Sequence, residues 1–418
     1  MDLYGWDTAY AVNISVLNDA LKGSHDLPQT FLIADGYLKA SGSLKNWRIV
    51  AGGSGILLHV QVEIATGTIS GGADPKADLA GYQLIFEIDM TLLPAAVDGK
   101  QEIRLYLKSA AKKGQSQGEG VVAPYSITPQ GKLGFEQEQF LPFFMAKYLV
   151  TQADKFTFAL AQVNLVPPTA ADSWLTPVEI AFTYYASGSA GDFLVIYGAT
   201  RKRDVKGLSR NVDPSLFAGK GPAYYAISGD MFLEHVVMPL MPKVYPGFAS
   251  SYFEFDAGNH EIINTKSMKL HGVKSGAITY YPVVRDLRIK ISGDTLVSDV
   301  KGRANMYMGM SMTFSVTSRS KTSYDAAHNK FSAAKDAHPS AHHKSHIPWY
   351  DYLFGVIPDI IMAIVVPAVA DGIADGLNSA LSGMELANTG PQLVDWPGLD
   401  TFKPNAGGLN GAFQLSGS

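Results

Sequence analysis

The chain has 418 residues, 46% of them hydrophobic and only 17% charged, with a formal net charge of −4 and no cysteine. That length allows one large domain or two to three ordinary ones, and the charge lacks the basic footprint of a nucleic-acid binder. The missing cysteines exclude disulfides, thiolate catalysis and Cys-ligated zinc.

The N-terminal stretch Met-Asp-Leu-Tyr-Gly-Trp-Asp has neither a basic n-region nor an apolar h-region. No Sec-type signal is expected, so the chain should start in the cytosol or leave by another route. Asp7 suits an N-cap and Gly23 a stop. Trp6, Tyr10, Asn13, Val16, Leu17, Ala20 and Leu21 share one helical face, which predicts a helix between them.

From about Phe31 to Val122 the period changes to two. Leu58, Val60, Val62 and Ile64 alternate with His59, Gln61 and Glu63; Leu84, Phe86 and Ile88 alternate with Glu87 and Asp89; Ile103, Leu105 and Leu107 alternate with Arg104 and Lys108. This pattern predicts an antiparallel sheet with one dry and one wet face. A second helix is predicted through Phe140, Leu141, Phe144, Met145, Tyr148 and Leu149, and strands at 156–165, 178–185 and 193–200. The basic stretch from Arg201 to Arg210 reads as a loop or linker.

Ser228-Gly-Asp opens a further predicted helix through Phe232, His235, Val236 and Leu240, kinked at Pro239. Leu287, Ile289 and Ile291 mark a strand. Met306, Met308, Met310, Met312, Phe314 and Val316 alternate with polar and small residues as one more strand. A loop is expected from Thr317 to Ile347. The longest helix should run from Trp349 to Gly383, opened by Pro348 and apolar at Leu353, Val356, Ile357, Ile360, Ile361, Ile364, Val365 and Val369. Asp359, Asp371 and Asp375, with Pro358 and Pro367, argue against a membrane span, which needs about 20 apolar residues with few charges. A kinked helix wrapped by apolar surface on more than one side fits better. A last strand is predicted from Gly407 to Leu415.

The order of helix, sheet, helix and strand thus occurs twice, which predicts two modules, 1–215 and 216–418. Each would be a curved, one-sided antiparallel sheet around a helix, an α+β fold. Such a sheet can leave a lengthwise apolar channel. Helical and strand periodicity place Leu17, Phe144, Tyr148, Met308, Met310, Ile357, Ile361 and Val365 along it. The methionines, flexible and polarisable, suit varied apolar partners, although core packing alone would also justify them.

Catalytic patterns are weak. His260-Glu-Ile-Ile-Asn264 misses the second imidazole of a zinc protease helix. Gly52-Gly-Ser-Gly55 lacks the Lys and Ser/Thr of a phosphate loop, and no nucleophile elbow is present. Five histidines, His328, His338, His342, His343 and His346, crowd one stretch. Three of them at i, i+4 and i+8 could bind a metal or sense pH, but Pro339 interrupts any helix there, and a solvated loop is the plainer reading. Its Arg319, Lys321, Lys330, Lys335 and Lys344 could touch anionic lipid. No metal, cofactor or enzyme activity is expected.

Tyr4-Gly-Trp-Asp7 near the start, Gly229-Asp-Met-Phe232 with the proline-containing helix after it, and the closing Gly408-Leu-Asn-Gly411 together resemble the clostridial P-forty-seven/OrfX family. The resemblance spans nearly the whole chain through short, non-catalytic motifs. It implies a tubular lipid-binding (TULIP) fold, long helices wrapped by curved sheets in two tandem, elongated modules. It also implies non-enzymatic binding of lipid or another long hydrophobic ligand. The family includes accessory proteins encoded beside botulinum-type neurotoxins, and related proteins outside toxin clusters, so a toxin-accessory role, other toxin-cluster proteins as partners, peripheral membrane contact and release by a non-classical route are expectations of the same kind. The alternative is a scaffold whose tube is filled by its own side chains and which binds protein partners.

Overall fold

The computed structural model describes residues 1–22, 24–95, 99–116, 118–167, 173–188, 191–275, 277–306, 310–328, 330–346, 357–380 and 390–418. Within these, antiparallel strands dominate and form a six-stranded, a ten-stranded and an eight-stranded sheet, with few helices.

The six-stranded sheet joins the two ends of the chain to its middle. Its order is Glu179–Ala186, Asp192–Ala199, Thr8–Asn13, Ala223–Ile227, Phe413–Gly417 and Pro404–Leu409. Both faces are dry. Tyr10, Val12, Leu194 and Ile196 face the main core. Ala9, Ala11, Phe193, Val195 and Tyr197 face a second, smaller core closed by Val212, Leu216 and Phe217. Val205 and Leu208, from the basic stretch read as a loop, pack over the same face. Trp6 stacks on Tyr197 with centroids 5.6 Å apart, and its indole N–H donates to Ser209 O at 2.8 Å.

This arrangement corrects the first predicted helix. Residues 8–13 are a strand, and the helix is only Ile14–Leu21, capped by the Asn13 side chain accepting from Ser15 N–H at 2.8 Å. Asp7 caps nothing; its carboxylate accepts from Thr200 N–H at 2.7 Å and pairs with Arg203 at 2.9 Å. The cause is burial on both faces: an apolar run with no wet side cannot be told from a helix by periodicity. The stop proposed at Gly23 lies outside the described residues.

The ten-stranded sheet runs Thr30–Asp35, Leu38–Ser54, Leu57–Gly71, Gln83–Pro94, Lys100–Tyr106, Ala159–Asn164 and Val394–Asp395, with three further strands off this path. Its long hairpin changes register three times, between Ser43 and Leu44, Lys45 and Arg48, and Val50 and Ser54. Such bulges bend and over-twist strands, so the sheet curls. The curl accounts for a second correction. His59 and Gln61, expected on the wet face, are buried, with His59 lying against Tyr125 at 4.2 Å and 3.6 Å from Glu87. The dry face is as expected: Leu58, Val60, Val62 and Ile64 are buried.

The eight-stranded sheet follows Phe253–Asp256, Glu261–Asn264, Val283–Ser292, Thr295–Asn305, Ser311–Asp325 and Lys330–Ala333, with Met268–Lys269 and Ser340–His346 off the path. The methionine stripe is not one strand. The chain reverses between Asn305 and Ser311, which pair, and Met306 N–H donates to Met310 O at 2.8 Å. Alternation reports a pleat, not where a chain turns. The expected loop after Thr317 is also strand: Ser311–Asp325 continues, and Ser340–His346 pairs back on it. The Ser/Thr-rich alternation extends through Tyr324, and the pleat carries it on. The expected last strand is likewise a hairpin, Pro404–Leu409 and Phe413–Gly417, turning at Asn410-Gly411 with Gly411 at φ +80°.

Two substantial helices remain, Phe135–Thr151 and Ile357–Ala380, of 17 and 24 residues. The helix predicted after Ser228 begins there, with the Ser228 hydroxyl accepting from Met231 N–H at 3.3 Å. It breaks into short turns of helix up to Val244, because Pro239 and Pro242 each remove a donor. No helix among the described residues is long and apolar enough to cross a membrane. The start at Pro348 and stop at Gly383 proposed for the longest helix lie outside the described residues.

Candidate functional site

The Phe135–Thr151 helix lies against the ten-stranded sheet with its N-terminus stapled to the turn at residues 72–75. Asp74 accepts from Gln137 N–H at 3.1 Å, Glu136 accepts from Ala73 N–H at 2.9 Å, and the fully buried Gln137 side chain donates to Pro75 O at 2.9 Å. Acidic groups at a helix N-terminus also suit its dipole. Hydrogen bonds from Tyr37 and Ala73 hold the Glu136 carboxyl below the ordinary range, while the same partnership raises the Tyr37 phenol.

Anchored in this way, the helix buries Leu141, Met145, Ala146 and Leu149 and leaves a row of rings uncovered. Phe135 is 79% exposed and Phe140 41% exposed, with Phe143 and Phe144 half-buried beside them. Tyr37 meets Phe140 edge-on at 5.7 Å. These rings, with Tyr125 and Ile127 opposite, line a groove of about 660 Å³. Lys112, Lys113 and Lys147 also line it, with Lys147 5.2 Å and 5.3 Å from the Phe143 and Phe144 ring centres and 3.6 Å from Asp35. An exposed apolar strip rimmed by charged groups, Asp35 and Glu138 as well as the three lysines, is unusual for surface with no partner.

A smaller recess of about 240 Å³ opens beside the Ile357–Ala380 helix, between Tyr245, Phe248, Leu270, Pro282 and Val365. Lys269 stands 4.0 Å over the Tyr281 ring nearby.

Of the eight positions expected to line a channel, two fall in these regions. Phe144 lines the large groove and Val365 the small recess. Leu17, Met310 and Ile361 sit in the continuous core at 0%, 3% and 0% exposure. Tyr148 packs partly against the core, and its hydroxyl donates to Thr30 O at 2.9 Å. Met308 and the Ile357 side chain lie outside the described residues. The sequence reading missed Phe135, Phe143, Lys112, Lys113 and Lys147. The helix after Gly134 could have been extended back to Phe135 from Glu136 and Glu138, acidic residues suited to a first turn.

The patterns weighed for catalysis fall elsewhere. His260 sits at φ +56° in a turn and meets the Asp230 carboxylate at 2.9 Å, and Glu261–Asn264 is a strand. His342, His343 and His346 lie on the Ser340–His346 strand, so their neighbours alternate rather than share a helical face. His338 precedes it, its backbone N–H donating to Asp336 at 3.0 Å, and His328 meets Asp325 at 2.6 Å. Among the described residues no three metal-ligating side chains come together.

The fold and this groove define a protein of curled antiparallel sheets with few helices and an apolar opening at the surface of one of them. The chain belongs to the OrfX-like family, whose model for protein OrfX2/OrfX3/P47 matches residues 3–330. It is 22% identical to protein P47 of Clostridium botulinum (strain Kyoto / Type A2), over 83% of this chain and 84% of that protein. It is also 22% identical to protein OrfX3 of the same strain, over 73% of this chain and 70% of that protein. The solved structure of P47 from Clostridium botulinum A2 superposes with a TM-score of 0.79 at 20% identity, covering 100% of this chain and 98% of the other. P47 of Clostridium botulinum E1 gives 0.74 at 21% identity, covering 99% of each.

Proposed function

We propose that this protein is a non-enzymatic binder of lipid or another long hydrophobic ligand, held where a curled sheet meets a helix in the manner of tubular lipid-binding proteins. The observation that carries the reading is the 660 Å³ groove, where rings of the Phe135–Thr151 helix face outward between lysines. An acyl chain would cover the rings, each large apolar side chain so covered being worth roughly 1.5–3 kcal/mol. An anionic headgroup would meet Lys112, Lys113 and Lys147. Family membership adds the expectation of an accessory role beside toxin proteins, with cluster proteins as partners, synthesis in the cytosol, release by a non-classical route and peripheral contact with membranes.

A second reading is a scaffold with a filled interior that binds protein. The complete burial of Leu17, Ile361, Val369 and Met312 supports it, since a close-packed interior has no room for a guest. Native mass spectrometry followed by organic extraction separates the two. Adducts of phospholipid or fatty-acid mass, lost on extraction, are expected for a binder. A bare mass, with no uptake when lipid is offered, would turn the reading to the scaffold.

A further inference from the structure

The recess beside the Ile357–Ala380 helix is built unlike the groove. At about 240 Å³ it has well under half the groove's volume. Its floor is buried, with Tyr245 4% exposed and Val365 1%. Its walls are open to a guest: Phe248 and Leu270 are half-buried and Pro246 is exposed. These walls are held in place. The Phe248 ring meets Tyr252 edge-on at 5.3 Å, Tyr245 stacks on Phe253 at 6.1 Å, and Leu270 N–H donates to Pro282 O at 2.8 Å. A concave, preformed apolar surface with a few polar groups at its edge is the ordinary form of a small-molecule site.

The mouth carries charge of one sign. Lys269 and His271 line it and are exposed, and no Asp or Glu among the described residues lines the recess. The Lys269 ammonium stands 4.0 Å from the centre of the Tyr281 ring, and Lys266 stands 5.6 Å from that of Tyr252, behind Phe248. A ring attracts an ammonium without neutralising it, so the positive charge stays available in a chain whose net charge is −4. Size sets a further limit. An apolar cavity of about 150 Å³ holds benzene, so this recess admits one ring, or two fused, with a short acidic tail. We propose that it binds a small aromatic monocarboxylate, with the ring between Phe248, Leu270 and Pro246 and the carboxylate at Lys269. Edge and face contacts with Phe248 and Tyr245 favour a ring beyond the area it buries, which an alkyl chain of equal size lacks. The site is separate from the apolar groove and does not rest on the reading of it.

Saturation-transfer difference NMR titrations of the full chain with phenylacetate, phenylpropionate and indoleacetate test this, with octanoate for comparison. At least one aromatic acid should bind at millimolar concentration or below. Lys269→Glu replaces one exposed charge by its opposite, so it should weaken that acid about tenfold while leaving its neutral amide within about twofold. The exposed position makes loss of the fold an unexpected result. Phe248→Ala should weaken acid and amide alike. If Phe248→Ala does not fold, the Lys269→Glu comparison decides alone. Three results would each overturn the proposal: no binding by any of the three aromatic acids, tighter binding of octanoate than of all three, or a Lys269→Glu variant that binds the acid as before or loses acid and amide equally.

Discussion

The Phe135–Thr151 and Ile357–Ala380 helices solve one packing problem in different ways. Each lies on a curled antiparallel sheet, and each runs through an internal proline, Pro142 or Pro367. The Ile357–Ala380 helix is clasped. Ile361, Val365, Val369 and Ala374 are fully buried, Asn378 locks onto the strand beside it, and Lys335 pairs with Asp371 and Asp375. The Phe135–Thr151 helix is tied down at its start and buries one stripe, yet turns Phe135 and Phe140 to solvent. Where a sheet closes over its helix, the interior becomes core. Where it stops short, rings are left over, and those rings are the candidate binding surface.

The clasped helix is the sharper test of that contrast. Ile361→Ala removes a fully buried side chain from the continuous core. We expect a loss of about 2–5 kcal/mol, read from the denaturant midpoint at constant slope. A cost below about 1 kcal/mol would show that this interior is loosely filled and would bring the clasped helix closer to the open one.

Asn378 tests how the clasp is closed. Ala333 N–H donates to Asn378 Oδ1 and Asn378 Nδ2 donates to Ala333 O, both at 2.9 Å, so one side chain stands in for a paired strand at the end of Lys330–Ala333. Asn18 does the same from the first short helix, exchanging bonds of 2.8 Å and 2.7 Å with Ile49. Asn378→Ala should cost about 1–3 kcal/mol by leaving two backbone groups unpaired. Equal amide-exchange protection at Ala333 in both proteins would show that the bond is dispensable.

The open helix should respond in binding rather than stability. Phe135→Ser with Phe140→Ser should reduce uptake of a fluorescent fatty acid at least tenfold, about 1.4 kcal/mol. The folding midpoint should move little, since substitutions of exposed residues usually stay within about 0.5 kcal/mol. Unchanged uptake would move the ligand away from this groove.

Much of the secondary structure beneath this contrast was legible in the sequence. Period two located the strands carrying Leu58–Ile64 and Leu287–Ile291, and helical spacing located the Phe135–Thr151 and Ile357–Ala380 helices. Three kinds of information were not. The Thr8–Asn13 strand is buried on both faces, so its pattern has no wet side to reveal its period. The reversals between Asn305 and Ser311 and between Leu409 and Phe413 interrupt an alternation that otherwise runs on. At the second, Asn410-Gly411 is a known hairpin signal that could have been used. The openness of the groove depends on where the bulged sheet ends relative to the helix, a long-range fact that no local pattern holds. For the same reason Phe144 was found from its helical face, while Lys112 and Tyr125, from other strands and turns, were not.

The broken helix after Ser228 offers the smallest test, and it concerns how the central sheet holds its neighbours. His235 stacks on Trp174 at 4.7 Å and lies 3.1 Å from the Arg201 guanidinium, beside Glu234. Burial, the largest influence, lowers its pKa below the ordinary value of about 6.5, with Arg201 acting in the same direction and Glu234 against it. A folded-state pKa below the unfolded one means that the unfolded chain binds the proton first. The contribution to stability is therefore complete above about pH 6.5 and is lost as pH falls through the lower folded value. Thermal midpoints should fall more steeply on acidification in the wild type than in His235→Gln, with the two proteins differing little at neutral pH. Parallel curves would show that this histidine titrates as it does in the unfolded chain, and that the broken helix is held there by its apolar residues alone.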